Sequence, residues 1–175
     1  GNGVYQIGTS AELYWFADKV NNDNANYGSA KAVLTADIVV NTGVLEADGT
    51  LNSGTFTDWT PIGNYDNKYI GTFDGQGHTI SGLYFNDTNA NYVGLFGCLG
   101  TDGEIKNVGV IDSYFRGYSY VGGVCGENNS GTITGCYNTG EVSGNNDVGG
   151  VCGYNVIGGK ITGCYNKGEV NGSGN

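Results

Sequence analysis

The chain contains a single histidine, His78, and that decides the first question of chemistry. Zinc-dependent proteolysis needs two histidines and a glutamate on one helix turn, as in His-Glu-x-x-His. One histidine in the glycine-rich stretch Gly75-Gln-Gly-His78 cannot supply that. A Ser-His-Asp relay would also have to use His78 as its base, and no Gly-x-Ser-x-Gly elbow accompanies it, so His78 reads as a turn residue. Carboxylates are the next candidates. Asp37, Asp58, Asp66 and Asp74 fall in the first half of the chain, and convergent carboxylates can cleave glycosidic bonds. They can also hold calcium beside a basic residue, for which Arg116 is the sole arginine. Asp-Gly turns, however, use the carboxylate for backbone geometry alone. The expectation is therefore no enzymatic activity, with a carbohydrate-acting lyase or hydrolase, or its sugar-binding remnant, as the alternative.

Glu141 and Glu169 raise a second metal question, because they occupy the same place in two copies of a repeat. Stacked like charges are unfavourable unless solvated or neutralised, by Lys167 or by a calcium ion taking oxygen ligands. The pair is the candidate metal site. Aromatic residues make the stronger binding lead. Tyr114-Phe-Arg116-Gly-Tyr118-Ser-Tyr120 packs four rings and the arginine into one short stretch. Tyr137 and Tyr165 recur at equal repeat positions. Exposed aromatic rows contact sugars or proteins, so Tyr114, Arg116, Tyr118, Tyr137 and Tyr165 are the candidate ligand-binding residues.

Composition narrows the classes. Net charge is −10 with only 7 Lys and Arg, in no cluster. Nucleic-acid binding needs a basic footprint and is excluded. No apolar run reaches the ~18 residues of a membrane span. The chain has 34 glycines and 1 proline, and β-branched and aromatic residues sit between closely spaced turn signals, which reads as all-β. The 5 cysteines are an odd number, so at least one is outside any internal disulfide. Cys125 with Cys152, and Cys136 with Cys164, hold equal repeat positions. Each pair either stacks as small buried hydrophobes or bonds between neighbouring coils. Cys98 has no repeated partner and is the expected free thiol.

The elements that must carry these residues follow from internal repetition. Val121-Gly-Gly-Val-Cys-Gly126 returns as Val148-Gly-Gly-Val-Cys-Gly153, an offset of 27. Gly131-Thr-Ile-Thr-Gly-Cys-Tyr-Asn138 returns as Gly159-Lys-Ile-Thr-Gly-Cys-Tyr-Asn166, an offset of 28. A tandem unit of that length indicates a solenoid, and it is too short for a propeller blade. Each coil has room for about three strands of five to six residues, and successive coils stack ~4.8 Å apart. A parallel β-helix results. Ile80, Ile105, Ile133 and Ile161 are expected to form one interior column. Val108 and Val110 align with Cys136 and Asn138, which turns those two residues inward. Asn138 and Asn166 then form an amide ladder, and Tyr137 and Tyr165 stack outward. Upstream, Val4–Gly8 reads as a strand. Thr9-x-x-Glu12 is a capping box, opening a helix over 10–21 with Leu13, Phe16, Ala17 and Val20 on one stripe. Residues 32–40, 69–73 and 79–85 read as strands, and Trp59 and Ile62 point inward.

These residues resemble the glycine-rich GLUG repeat of bacterial cell-surface proteins. Gly94-Leu-Phe-Gly97 matches its name, and Val-Gly-Gly-Val-Cys-Gly followed by Gly-x-Ile-x-x-Cys-Tyr-Asn-x-Gly-x-Val matches its body. Trp59-Thr-Pro-Ile-Gly63 and Gly71-Thr-Phe-Asp-Gly-Gln-Gly-His-Thr-Ile80 resemble the segment that precedes such repeats. The resemblance implies a right-handed β-helix on a secreted or surface-anchored protein, an adhesin segment or spacer with a glycan or a host surface protein as partner. Some members belong to IgA-cleaving metallopeptidases, with the repeats outside the protease domain. The organisation expected is a strand and capping helix over 1–30, irregular coils over 31–90 and regular coils over 91–175, in one continuous domain of a longer chain. Self-association, if any, is expected end to end.

Overall fold

A computed structural model describes residues 3–156 and 158–174. Its strands fall into five sheets, and one passage of the chain crosses each sheet once. Residues Glu104–Lys106, Gly109–Ile111, Tyr114–Arg116, Ser119–Gly122 and Cys125–Asn128 make one such coil. Thr132–Thr134 through Cys152–Asn155 make the next, directly upon it. Every strand pair is parallel and in register: Ile105 to Ile133 to Ile161, Val110 to Asn138 to Asn166, Phe115 to Val142 to Val170. Parallel stacking of like residues is what the repeat demands, because each coil buries its apolar residues only if its neighbour presents the same face. Each of the three complete coils between Thr72 and Asn155 holds five strands of two to four residues rather than three longer ones. Glycine corners come so often that no strand runs further.

The isoleucine column needs correction. Ile105, Ile133 and Ile161 do stack, but Phe73 stands below Ile105 and Ala32 below Phe73. Ile80 belongs to the second sheet, between Ile38 and Val110. The cause is a misread glycine. Gly71-Thr-Phe73 is the true counterpart of Gly103-Glu-Ile105, since Glu104 N–H donates to the Gly71 carbonyl at 2.8 Å. Gly77 instead turns the chain after that strand, donating to the Asn107 carbonyl. The stretches 32–40 and 79–85 each divide between two sheets, as Lys31–Leu34 with Ile38–Val39 and as Thr79–Ser81 with Tyr84–Asn86. The strand expected at 69–73 begins at Thr72, and Tyr69 contributes an isolated parallel bridge to Leu99.

The first sheet begins with Val4–Ile7, paired to Lys31–Leu34, and the helix Ser10–Asn22 lies between them in sequence. The capping box is complete: Thr9 Oγ1 accepts from Glu12 N–H at 3.3 Å, and Glu12 Oε2 accepts from Thr9 N–H at 3.1 Å. Leu13, Phe16, Ala17 and Val20 are buried, and the Phe16 ring meets Tyr69 and Phe73. Leu13, Phe16 and Val20 each contribute about 1.5–3 kcal/mol when removed from water. The stripe therefore fixes the helix over the interior of the early coils. Trp59 and Ile62 are buried as expected, with Trp59 Nε1 donating to the Gly94 carbonyl at 3.1 Å.

Interior polar groups are matched coil by coil. Asn138 is fully buried; its Oδ1 accepts from Gly140 N–H at 3.1 Å, and its Nδ2 donates to the Gly140 carbonyl and to Asn166 Oδ1, both at 2.9 Å. The turn it closes can be no wider. A Cβ on Gly140 would lie 2.3 Å from the Ser113 carbonyl oxygen, and one on Gly168 1.9 Å from that of Gly140. Asn128 and Asn155 repeat the amide contact at 2.8 Å on the fifth sheet. Phe96, Cys125 and Cys152 share one column, as the repeat alignment requires. All five cysteines are unbonded. Cys98 is therefore one free thiol among five, buried and donating to Glu127 Oε2 at 3.6 Å.

Candidate functional site

A groove of about 560 Å³ crosses the third sheet and its corner with the fourth. It gathers residues that lie far apart in sequence: Tyr114, Arg116 and Tyr118 from one coil, Glu141, Ser143 and Asn145 from the next, Asn171 and Ser173 from the third. Register explains the gathering. Tyr114 pairs with Glu141, and Arg116 with Ser143, which pairs in turn with Asn171. The three coils span ~10 Å along the stack. The corner is lined by Gly117, Gly144 and Gly172. A Cβ at Gly117 would come within 2.9 Å of the Val121 side chain, so an outward wall cannot be built there without disturbing the core.

The side chains differ in availability. Tyr118 is 46% exposed, and Arg116 is exposed. Tyr114 is a wall rather than a platform: it is 6% exposed, with its ring stacked on Tyr84 at 6.0 Å. Ser143 Oγ is buried and has no hydrogen-bond partner among the described residues. Burial, and then the neighbouring Glu169 carboxylate, hold Glu141 above the usual carboxylate range, with Arg116 acting the other way. Glu141 and Glu169 do sit one above the other. Among the described residues, though, no three His, Cys, Asp or Glu gather as a metal site. Asp37, Asp58, Asp66 and Asp74 thus supply no three-membered metal cluster among the described residues. Asp37 accepts from Thr79 N–H and contacts His78 Nδ1 at 3.3 Å, while Asp74 meets Lys106 at 4.0 Å.

The structure sets Tyr137 and Tyr165 apart from this groove, on the second sheet. Their rings are nearly parallel, 2° between planes and 5.0 Å between centroids, with Lys167 Nζ 5.4 Å from the upper ring. Gly109 occupies the position below, and a Cβ there would strike the Tyr137 ring at 2.3 Å. A longer aromatic row escaped the sequence reading. Tyr65, Tyr92, Tyr120 and Tyr154 contact in series at 5.7, 5.0 and 5.3 Å. Tyr92 and Tyr120 hold φ of 63° and 56°, a region bulky residues seldom adopt. The signal was present: each precedes a Val-Gly pair, Tyr92-Val-Gly and Tyr120-Val-Gly.

Residues 117–143 and 144–171 each match the family described as the GLUG motif. The chain carries two GLUG repeats. Each matched segment is one coil, so the GLUG unit is a single turn through the five sheets. Relatives extend the likeness. The GLUG chain is 36% identical over 77 residues, 43% of its length, to a provisionally named Gly-rich membrane protein of Evansella cellulosilytica. It is 35% identical over 150 residues, 77% of its length, to halomucin of Haloquadratum walsbyi. It spans 9% and 2% of those relatives' lengths. In fold it is similar to the crystal structure of a provisionally named immunoglobulin A1 protease from Bacteroides ovatus, with a TM-score of 0.59 over 99% of this chain and 61% of that one. Identity there is 21%, so the likeness concerns architecture alone.

Proposed function

We propose that this GLUG chain is a non-catalytic stretch of a right-handed coil array, carried on the outside of a bacterial cell. There it acts as a spacer whose side bears an adhesive face for glycans. The observation that carries the reading is the coil register. Outward residues repeat at a fixed rise on five continuous faces, whereas His78 has Asp37 alone as its carboxylate contact among the described residues. The names of the relatives support an extracellular setting, one a membrane protein and the other a halomucin. A net charge of −10 favours a dispersed, solvated surface segment.

The test is immunolabelling of intact source cells, combined with incubation of the purified chain on immobilised glycans. Labelling without permeabilisation, and retention without turnover, are expected. Labelling only after permeabilisation overturns the surface placement. Release of reducing or unsaturated sugar, abolished by Asp74→Asn, replaces this reading with a carbohydrate-acting enzyme.

A further inference from the structure

We infer that the groove at the corner of the third and fourth sheets binds an uncharged oligosaccharide laid along the coil axis, with Tyr118 under a sugar face and Ser143 Oγ bonded to a sugar hydroxyl. The inference rests on the adhesive reading above and supplies its site and ligand class. The volume of about 560 Å³ lies in the range of small-molecule sites. Such sites are usually lined by apolar side chains; this one is lined by hydroxyls, amides, a carboxylate and a guanidinium beside tyrosine rings. That mixture suits a ligand with one apolar face and a polar rim, which is the character of a pyranose ring.

Two further observations point to a ligand rather than to a solvated corner. Ser143 Oγ is buried with no partner among the described residues, beside Arg116 and Asn171 in one register column. A buried hydroxyl without a partner is unfavourable; a turn of the Ser143 side chain, which lines the groove, brings Oγ to a ligand oxygen and removes that deficit. Arg116, the sole arginine, projects into the same space without an ion pair within bonding range among the described residues. Charge selects among sugars. Glu141 lines the groove and the chain carries −10 overall, so a polyuronate chain is repelled where a neutral one is not.

The test uses the whole chain on an array of neutral and acidic oligosaccharides, followed by titration with the best ligand. Tyr118→Ala and Ser143→Ala are each expected to weaken binding at least fivefold with unchanged thermal unfolding. Tyr137→Ala, on the second sheet, leaves binding within twofold. Absence of any bound neutral oligosaccharide overturns the inference and leaves the spacer reading standing. So does binding confined to uronate-containing chains, or loss through Tyr137→Ala with Tyr118→Ala unaffected. Sugar release during the assay counts against the non-catalytic reading, while variant sensitivity still locates the site.

Discussion

Asn138→Val tests the coil register at its most constrained point. Valine is a fair probe because the coil below already carries Val110 at that position, so the wall accommodates its shape. What valine cannot do is close the next turn. Three hydrogen bonds are lost, two to Gly140 and one to Asn166, all within 2.9–3.1 Å. Gly140 is buried, so its N–H loses a protein partner without gaining free access to water. At about 1 kcal/mol per bond the loss is about 3 kcal/mol. Apolar burial of the valine returns about 1 kcal/mol of that, taken from its smaller gain over a polar amide. The net expectation is a destabilisation of about 2 kcal/mol. Asn166→Val, in the exposed last coil, removes one bond to Gly168 and its share of the ladder, and is expected to cost about 0.5–1 kcal/mol. Urea unfolding followed by circular dichroism measures both, with the slope of the transition checked for change. The double variant isolates the ladder bond as a coupling of about 1 kcal/mol. A cost for Asn138→Val below 1 kcal/mol, or no coupling with Asn166→Val, refutes the amide ladder.

Burial grades the same column. Ile133→Ala, fully buried between Ile105 and Ile161, is expected to cost about 2–5 kcal/mol, and Ile161→Ala, 39% exposed, less than half as much; equal values in urea unfolding contradict the stacking. Glu141 is held above its ordinary value, so the folded state binds its proton more tightly than the unfolded one. Stability from this group is therefore full below the unfolded value near 4.5 and is lost as pH rises through the folded value. Glu141→Gln should flatten that limb of a stability-versus-pH curve, and an unchanged curve opposes the assignment. Thiol titration of the unfolded chain should find all five cysteines free. In the native chain Cys98, Cys125 and Cys136 should react slowest, because burial raises their thiols, Cys136 to about 12. Rapid native labelling of Cys125 would falsify its interior placement.

How much was legible depended on how well copies matched. From Val121 onward, nearly identical words at offsets of 27 and 28 carried the inward cysteines, the Asn138–Asn166 contact and the Tyr137–Tyr165 stack. Before Gly103 the copies diverge: Phe73 replaces isoleucine, and Phe73 to Ile105 is an interval of 32 against 28 for Ile105 to Ile133. A glycine-before-isoleucine rule therefore locked onto Gly77 and Ile80. The helix was readable because its signals are local, a cap and a stripe. The groove was half readable. The cluster Tyr114, Arg116 and Tyr118 stood out in one segment, and Glu141 had been singled out for a different reason. Ser143 and Asn171 join only through pairing between coils, and nothing in their own surroundings marks them. The row from Tyr65 to Tyr154 was missed because its members do not share one offset: Tyr92 to Tyr120 is 28, but Tyr120 aligns with Asp147 and meets Tyr154 from the neighbouring sheet.

The glycine corner of the third and fourth sheets separates two kinds of change. Inward, Gly117 and Gly144 leave no room beside the valine column, so the backbone course there is fixed. Outward, that course is held at Arg116 and Tyr118 by backbone hydrogen bonds, which any side chain there can keep. A lineage can thus rewrite what the flank touches, one rung at a time, without renegotiating the scaffold beneath, and the range of surfaces grows with the number of rungs rather than with the invention of new folds.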